Sequence, residues 1–334
     1  MNPAALNIFS SRLNAVCDEM GLVLRNSAFS PNIRDRLDFS CAVFDAQGEL
    51  CAQAAHIPVH LGSMAYAMRD IVAGIEWRAG DQVILNDPYL GGTHLPDVTV
   101  IAPVFDDDEL IAFVVNRAHH ADIGAASPGS MPISSRLDQE GVVIEPVHLL
   151  REDTMVTEVL ERVAGKTRNR AESQGDFSAQ VAANRAGAKR LAHLVRHYGS
   201  SAFVAGIAAL NDYAGRLARA ALAEVPTGRY TFTDYLDDDG QGHRDIPIKV
   251  TLDISNDGIV ADFTGTAEQV EGNVNCPLAV AAAAVYYVFR CLMPAQMPAC
   301  AGVFRRCAPR RAKRRRVVPG RDEGALFSRS GEAG

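Results

Sequence analysis

Between residues 86 and 122 the chain concentrates side chains that bind metals or move protons: Asp87, His94, Asp97, His119, His120 and Asp122. Imidazole nitrogens and carboxylate oxygens are the donors that suit Mn, Fe or Zn at hydrolytic centres. His94 and Asp97 stand as His-x-x-Asp at the mouth of an apolar run, and Gly91-Gly92 lets backbone approach a ligand closely. A single histidine beside a turn is most often structural; six His and Asp in so short a span bring the functional and structural readings level. Other chemistries leave no trace. The chain has no HExxH helix, no GxSxG elbow, no GxxxxGK[ST] phosphate loop and no GxGxxG turn. His193 and His197, four apart among Lys189, Arg190 and Arg196, read as an exposed helix face. Asp106–Glu109 and Asp237–Asp239 read as solvated turns, without the alternation of a calcium loop.

The elements around the cluster follow from hydrophobic period. Val98–Phe105 and Leu110–Val115 alternate like strands, so an out-and-back excursion can return His119 beside His94. Asp81–Leu85 is a short strand leading into a Pro- and Gly-rich segment, and residues 119–148 are irregular. Upstream, Leu6–Arg25 has helical spacing, Phe39–Asp45 and Glu49–Gln53 flank a hairpin turn, and Leu61–Ile75 reads as a helix. Downstream, Asp153 to about Glu224 forms a helical block with breaks expected at Gly175-Asp176 and Gly199-Ser200. Tyr230–Tyr235, Ile246–Ile254 and Ile259–Phe263 alternate like antiparallel strands, and Pro277–Leu292 reads as a helix. The expectation is a mixed α+β fold, rich in antiparallel sheet. Residues 1–150 would carry the metal-site region, 151–225 the helical block, 226–304 a β-rich segment plus helix, and 305–334 a basic tail.

Composition narrows the class. The 334 residues are 48% hydrophobic and 22% charged, enough for a sizeable core and unlike a disordered or coiled-coil chain. Leu278–Phe289, the longest apolar stretch, is too short to span a membrane. Met-Asn-Pro-Ala-Ala-Leu-Asn carries no positive leader region, so the cytoplasm is expected. Seven cysteines without a CxxC pair argue against a disulfide framework or structural zinc. The net charge of −7 is uneven: residues 305–334 hold ten Lys/Arg against three acids. The body is therefore too acidic for a general nucleic-acid binder.

Six segments in order resemble the hydantoinase B family, which includes B subunits of N-methylhydantoinases and oxoprolinases and the related acetone carboxylase subunit. They are residues 32–41 (NIRDRLDFSC), 56–64 (HIPVHLGSM), 86–97 (NDPYLGGTHLPD), 118–124 (AHHADIG), 262–266 (DFTGT) and 272–277 (GNVNCP). The resemblance implies a hetero-oligomer. A partner A subunit, an actin-like ATPase, uses ATP to phosphorylate a substrate carbonyl oxygen, and the B-type chain completes hydrolysis of a cyclic amide. It also implies a divalent metal, Mn favoured over Zn or Fe, held by His94, Asp97, His119 and Asp35, the last where relatives usually carry Glu. Asp122 is then expected to orient His119, and His60 and His120 to serve as general acid or base. Two other readings stay open: an acetone-carboxylase-like subunit, and an inactive, truncated partner-binding subunit.

The likeness frays at residues 297–305. Beyond it, nine basic residues between Arg305 and Arg321, with no acid among them, read as a truncated or out-of-frame end that packs poorly.

Overall fold

The computed structural model describes residues 1–54, 57–129, 132–305 and 307–310. Helix α1 (Pro3–Ser27) starts where the Asn2 side chain accepts a hydrogen bond from the Ala5 amide, with Pro3 in the first turn. Its buried stripe, Leu6, Phe9, Leu13, Val16, Met20 and Leu24, recurs every three or four residues. A single turn, α2 (Pro31–Arg34), leads to strands β1 (Phe39–Asp45) and β2 (Leu50–Ala54). The Asp45 carboxylate accepts from the Gln47 and Glu49 amides to close their hairpin. Helix α3 (Pro58–Ala73) and strand β3 (Gln82–Leu85) precede the long hairpin of β4 (Asp97–Asp106) and β5 (Glu109–His119). Short strands β6 (Val147–Arg151) and β7 (Thr154–Met155) follow, then helices α4 (Thr157–Ala164), α5 (Arg170–Tyr198) and α6 (Ser200–Leu222). Strands β8 (Gly228–Asp238), β9 (Arg244–Ser255) and β10 (Gly258–Asp262), helix α7 (Leu278–Cys291) and strand β11 (Cys307–Arg310) complete the described chain.

The expected α+β architecture is present. Seven strands form an antiparallel sheet in the order β2-β1-β5-β4-β3-β6-β7. A second sheet runs β11-β10-β9-β8, with only the β10–β11 pair parallel. The larger sheet is covered on both faces. On one, Val43, Val114 and Ala118 pack in the cluster that also holds residues of α1, α5 and α6. On the other, Ala42, Ile101, Phe113 and Val115 cluster with Met64, Met68 and Val72 of α3. Because side chains alternate along a strand, from Ala112 onward the odd-numbered residues of β5 face α3 and the even-numbered ones face α5. The α1–α5–α6 cluster draws residues from the three stretches 1–150, 151–225 and 226–304.

Two boundaries differ from the sequence reading. The helical block is not broken at Gly175-Asp176, which lies inside α5. A Cβ at Gly175 would sit 2.4 Å from the Phe29 ring, and Asp176 accepts hydrogen bonds from the Phe29 and Ser30 amides. The pair is there to seat the α1–α2 connection, not to end a helix. The break at Gly199 is present, with φ +78°. Ordered structure also continues past residue 304, since β11 pairs with β10 in the register Ile259–Cys307 to Asp262–Arg310. The rest of the basic tail, 306 and 311–334, lies outside the described residues. No helix among the described residues is long and apolar enough to cross a membrane. All seven cysteines are free, and Cys276 and Cys291 are the exposed pair.

Candidate metal centre

The β4–β5 hairpin sets the site. Asp97, the first residue of β4, lies directly opposite His119, the last of β5. Both side chains project toward α3, as the odd-numbered positions of β5 require. His119 Nδ1 stands 3.2 Å from Asp97 Oδ1. His94, in the turn before β4, brings its Nε2 to 3.1 Å from the same oxygen. The rings of His94 and His119 lie 5.0 Å apart, centroid to centroid. Among the described residues, His94, Asp97 and His119 form the group of metal-binding side chains whose donor atoms fall within 4.8 Å of one another. Two imidazoles and a carboxylate, held on two strand ends and the turn beside them, fit a divalent transition metal in chemistry and spacing.

Asp97 is buried, and burial alone would raise its pKa. The charge of His60 and hydrogen bonds from His119, His60 and His94 outweigh that and hold the carboxyl well below its usual range. His94 shows the complementary shift. Burial lowers its pKa, but the bond to Asp97 and the charges of Asp97 and Asp38 raise it overall.

The other candidates fall in different places. Asp35 is exposed and forms a two-pronged ion pair with its neighbour Arg34, at 3.0 and 3.1 Å. It ends the turn α2 and is not gathered into the cluster. Asp38 is the acid on that segment that reaches the cluster, with Oδ2 3.8 Å from His119 Nδ1. Leu37, at φ +56°, reverses the chain just before it, and the Asp38 carbonyl accepts from the His119 amide. Strand parity could have found it, since Asp38 shares a face with Ser40 and Ala42, whereas a count from Asn-Ile carries no direction.

His60 sits on the first turn of α3, buried behind Asp97, with Nε2 3.1 Å from Asp97 Oδ2 and Nδ1 3.2 Å from the Ser40 hydroxyl. Both ring nitrogens are engaged, so it holds the carboxylate in place. The Thr93 hydroxyl donates to that same oxygen. His120 follows His119 by one residue and faces the other way. It donates to Gln180 Oε1 at 2.9 Å and stacks on Phe177, both of α5, and burial lowers its pKa. Asp122 does not touch His119. Its carboxylate accepts from the Gly124 and Arg168 amides and pins the loop that follows. Asp87 caps a short 3₁₀ turn by accepting from the Tyr89 amide. His193 and His197 are exposed on α5, as expected.

A cavity of about 380 Å³ opens onto His94 and Asp97. Its far wall is the segment 269–277, absent from the sequence reading of the site. Three contacts hold that wall. Asn275 closes it internally through bonds with Val270 and Gly272, Asn273 donates to the Pro132 carbonyl, and the Gly272 amide donates to Asp239. Asp239 also accepts from the Gln241 and His243 amides and from the His243 ring. Burial opposes ionisation there, but these bonds hold its pKa at about 2. Arg117, two residues before His119, is the other participant that spacing did not reveal.

The family pattern of hydantoinase B/oxoprolinase matches residues 2–324. The chain belongs to that family. It is 37% identical over 317 residues to a 5-oxoprolinase of Saccharomyces cerevisiae, covering 89% of this chain and 24% of that one. A Pseudomonas protein named as the B component of a D-/L-hydantoinase is 33% identical over 291 residues, covering 83% and 49% respectively. The crystal structure of an ATP-dependent caprolactamase from Pseudomonas jessenii superposes with a TM-score of 0.86 at 30% identity, covering 93% of this chain and 54% of the other. Acetone carboxylase shares the fold, with a TM-score of 0.81 at 22% identity, covering 92% and 43%. The chain thus spans about a quarter of the 5-oxoprolinase's length and about half of the hydantoinase and caprolactamase chains.

Proposed function

We propose that this hydantoinase B/oxoprolinase family chain contributes the hydrolytic site of an ATP-dependent cyclic amide hydrolase. The observation that carries the reading is the convergence of His94, Asp97 and His119, the first two lining a cavity, in a chain 30% identical to an ATP-dependent caprolactamase. Net hydrolysis adds the hydroxyl of water to the ring carbonyl carbon, breaks the C–N bond and leaves a proton on nitrogen. His94, Asp97 and His119, with Asp38 beside them, would hold a divalent metal, manganese favoured, and it would supply Lewis acidity there. The chain's own residues fix that donor set. His60 and Thr93 fasten Asp97 from behind, and Asn275 and Asp239 fasten the facing wall, so the cavity is built before the substrate arrives.

ATP use is assigned to a partner on the likeness to a hydantoinase B component. An A-type actin-like ATPase subunit is the partner, the substrate is a small cyclic amide, and the complex works in the cytoplasm. Co-purification with that ATPase, followed by assay of lactam and hydantoin ring opening against ATP hydrolysis, tests the proposal. Ring opening that needs both chains, ATP and added Mn²⁺ supports it. A folded, metal-loaded complex that opens none of these rings would favour the inactive partner-binding alternative.

A further inference from the structure

Arg117 is the largest side chain that the fold buries completely, at 1% exposure. An ionised guanidinium in such a place costs several kcal/mol unless its donors are met and an opposite charge is near. Three of its five N–H donors go to neutral acceptors, one from each guanidinium nitrogen, and the acceptors belong to three different elements. Nε donates to Thr99 Oγ1 of β4 at 2.8 Å, Nη1 to Ser63 Oγ of α3 at 2.6 Å, and Nη2 to the Gly91 carbonyl at 2.8 Å. Burial lowers the Arg117 pKa to about 10, and the charge of Asp97 opposes that fall.

Each acceptor lies close in the chain to a residue of the donor cluster. Thr99 is two residues beyond Asp97 on the same strand face. Gly91 stands in the left-handed region at φ +96°, three residues before His94. A Cβ there would lie 2.0 Å from the Ala67 Cβ, so the turn carrying His94 presses directly on α3. Ser63 donates onward to the Val59 carbonyl, in the turn of α3 that presents His60. Arg117 itself is two residues before His119 on the same face of β5.

We infer that Arg117 is the positioning residue of the metal centre: one guanidinium fork sets His94, Asp97, His119 and His60 in register by tying their three elements together. Charge alone does not explain it. A lysine ammonium carries the same charge but lacks the planar fork that reaches three acceptors in fixed directions. The cation also stands behind Asp97, away from the cavity lining.

The inference rests on the metal reading of the cluster, and the test separates the two. The full chain is made as wild type, Arg117→Lys, Arg117→Met and Ser63→Ala. Each is titrated with Co²⁺ alone, following the visible spectrum of the bound ion, and each metal-free form is probed by hydrogen exchange. The expected result is a loss of about 10–100-fold in Co²⁺ affinity for both Arg117 variants, as for other residues that orient ligands. The bound spectrum should change, and exchange should rise in residues 86–96 and the first turn of α3 while α5 and α6 stay protected. Ser63→Ala, which leaves the guanidinium in place, should show a smaller loss in the same direction and serves if the Arg117 variants do not fold. Wild-type affinity and spectrum in Arg117→Lys would overturn the inference, because charge would then suffice. Unchanged exchange in folded Arg117→Met would overturn it also, whatever the metal does. Failure of the wild type to bind Co²⁺ or Mn²⁺ would remove the metal reading, while the exchange data would still decide whether Arg117 ties the three elements.

Discussion

Asp35 and Asp38 differ by three positions and belong to different surroundings. One is spent on Arg34 at the surface; the other leans toward His119 from the start of β1. Asp35→Asn should therefore leave Mn²⁺ affinity within about twofold, whereas Asp38→Asn should weaken it about 10–100-fold, measured by calorimetric titration. His94→Ala should abolish metal retention through gel filtration, with far-ultraviolet dichroism unchanged because the helices do not depend on it. Strand parity explains what was legible here. His94, Asp97 and His119 could be read because the two strands between them have clear alternation and meet end to end. His120 could not be excluded from spacing alone. Adjacent residues on a strand face opposite sides, but that distinction needs the strand to be known to reach residue 119. Asp122 and Arg117 depend on partners 46 and 54 residues distant in sequence, which no local pattern encodes.

The elements that build the cavity meet at close contacts. At Gly62 a Cβ would lie 2.3 Å from the Cα of Ala283, so α3 and α7 cross backbone to backbone. Gly62→Ala should force them apart and cost about 1–3 kcal/mol in a denaturation experiment. It should also shift the start of α7, which lines the cavity at Val280. The wall segment 269–277 answers to Asp239. Its folded pKa, about 2, lies below the ordinary carboxyl value of 3.8, so its stabilising contribution is complete above that value. The contribution fades as pH falls from about 4 towards 2, and Asp239→Asn should remove it at all pH values. Exchange of the 269–277 amides against pH reads this directly: wild type should loosen only in acid, and the variant should be loose at neutrality. Strands bounded by a clear turn signal, β1 above all, were legible to the residue. The misplaced break at Gly175 shows the limit, because a glycine that makes room for a ring looks in sequence like one that ends a helix.

At the scale of the whole molecule, the proposed function divides the chemistry between two chains. The purified chain should hydrolyse ATP no faster than a buffer blank in a phosphate-release assay; turnover that persists through repeated purification would contradict the division. The larger sheet, with both faces packed, was foreseeable in kind but not in order, since β1 inserts next to β5 rather than beside β3. The smaller sheet has a different character. Every residue of β8 is exposed, among them Tyr230, Phe232, Tyr235 and Leu236, and the strand lies at the sheet's edge. An open edge with aromatic side chains is a template for further strands. Asp234, Asp237 and Asp238 lie along the same strand, and their like charges should oppose pairing with a second copy. Handling of the isolated chain is therefore a colloidal question as much as a folding one: high salt, which screens those charges, should invite clumping while the pocket itself is still intact.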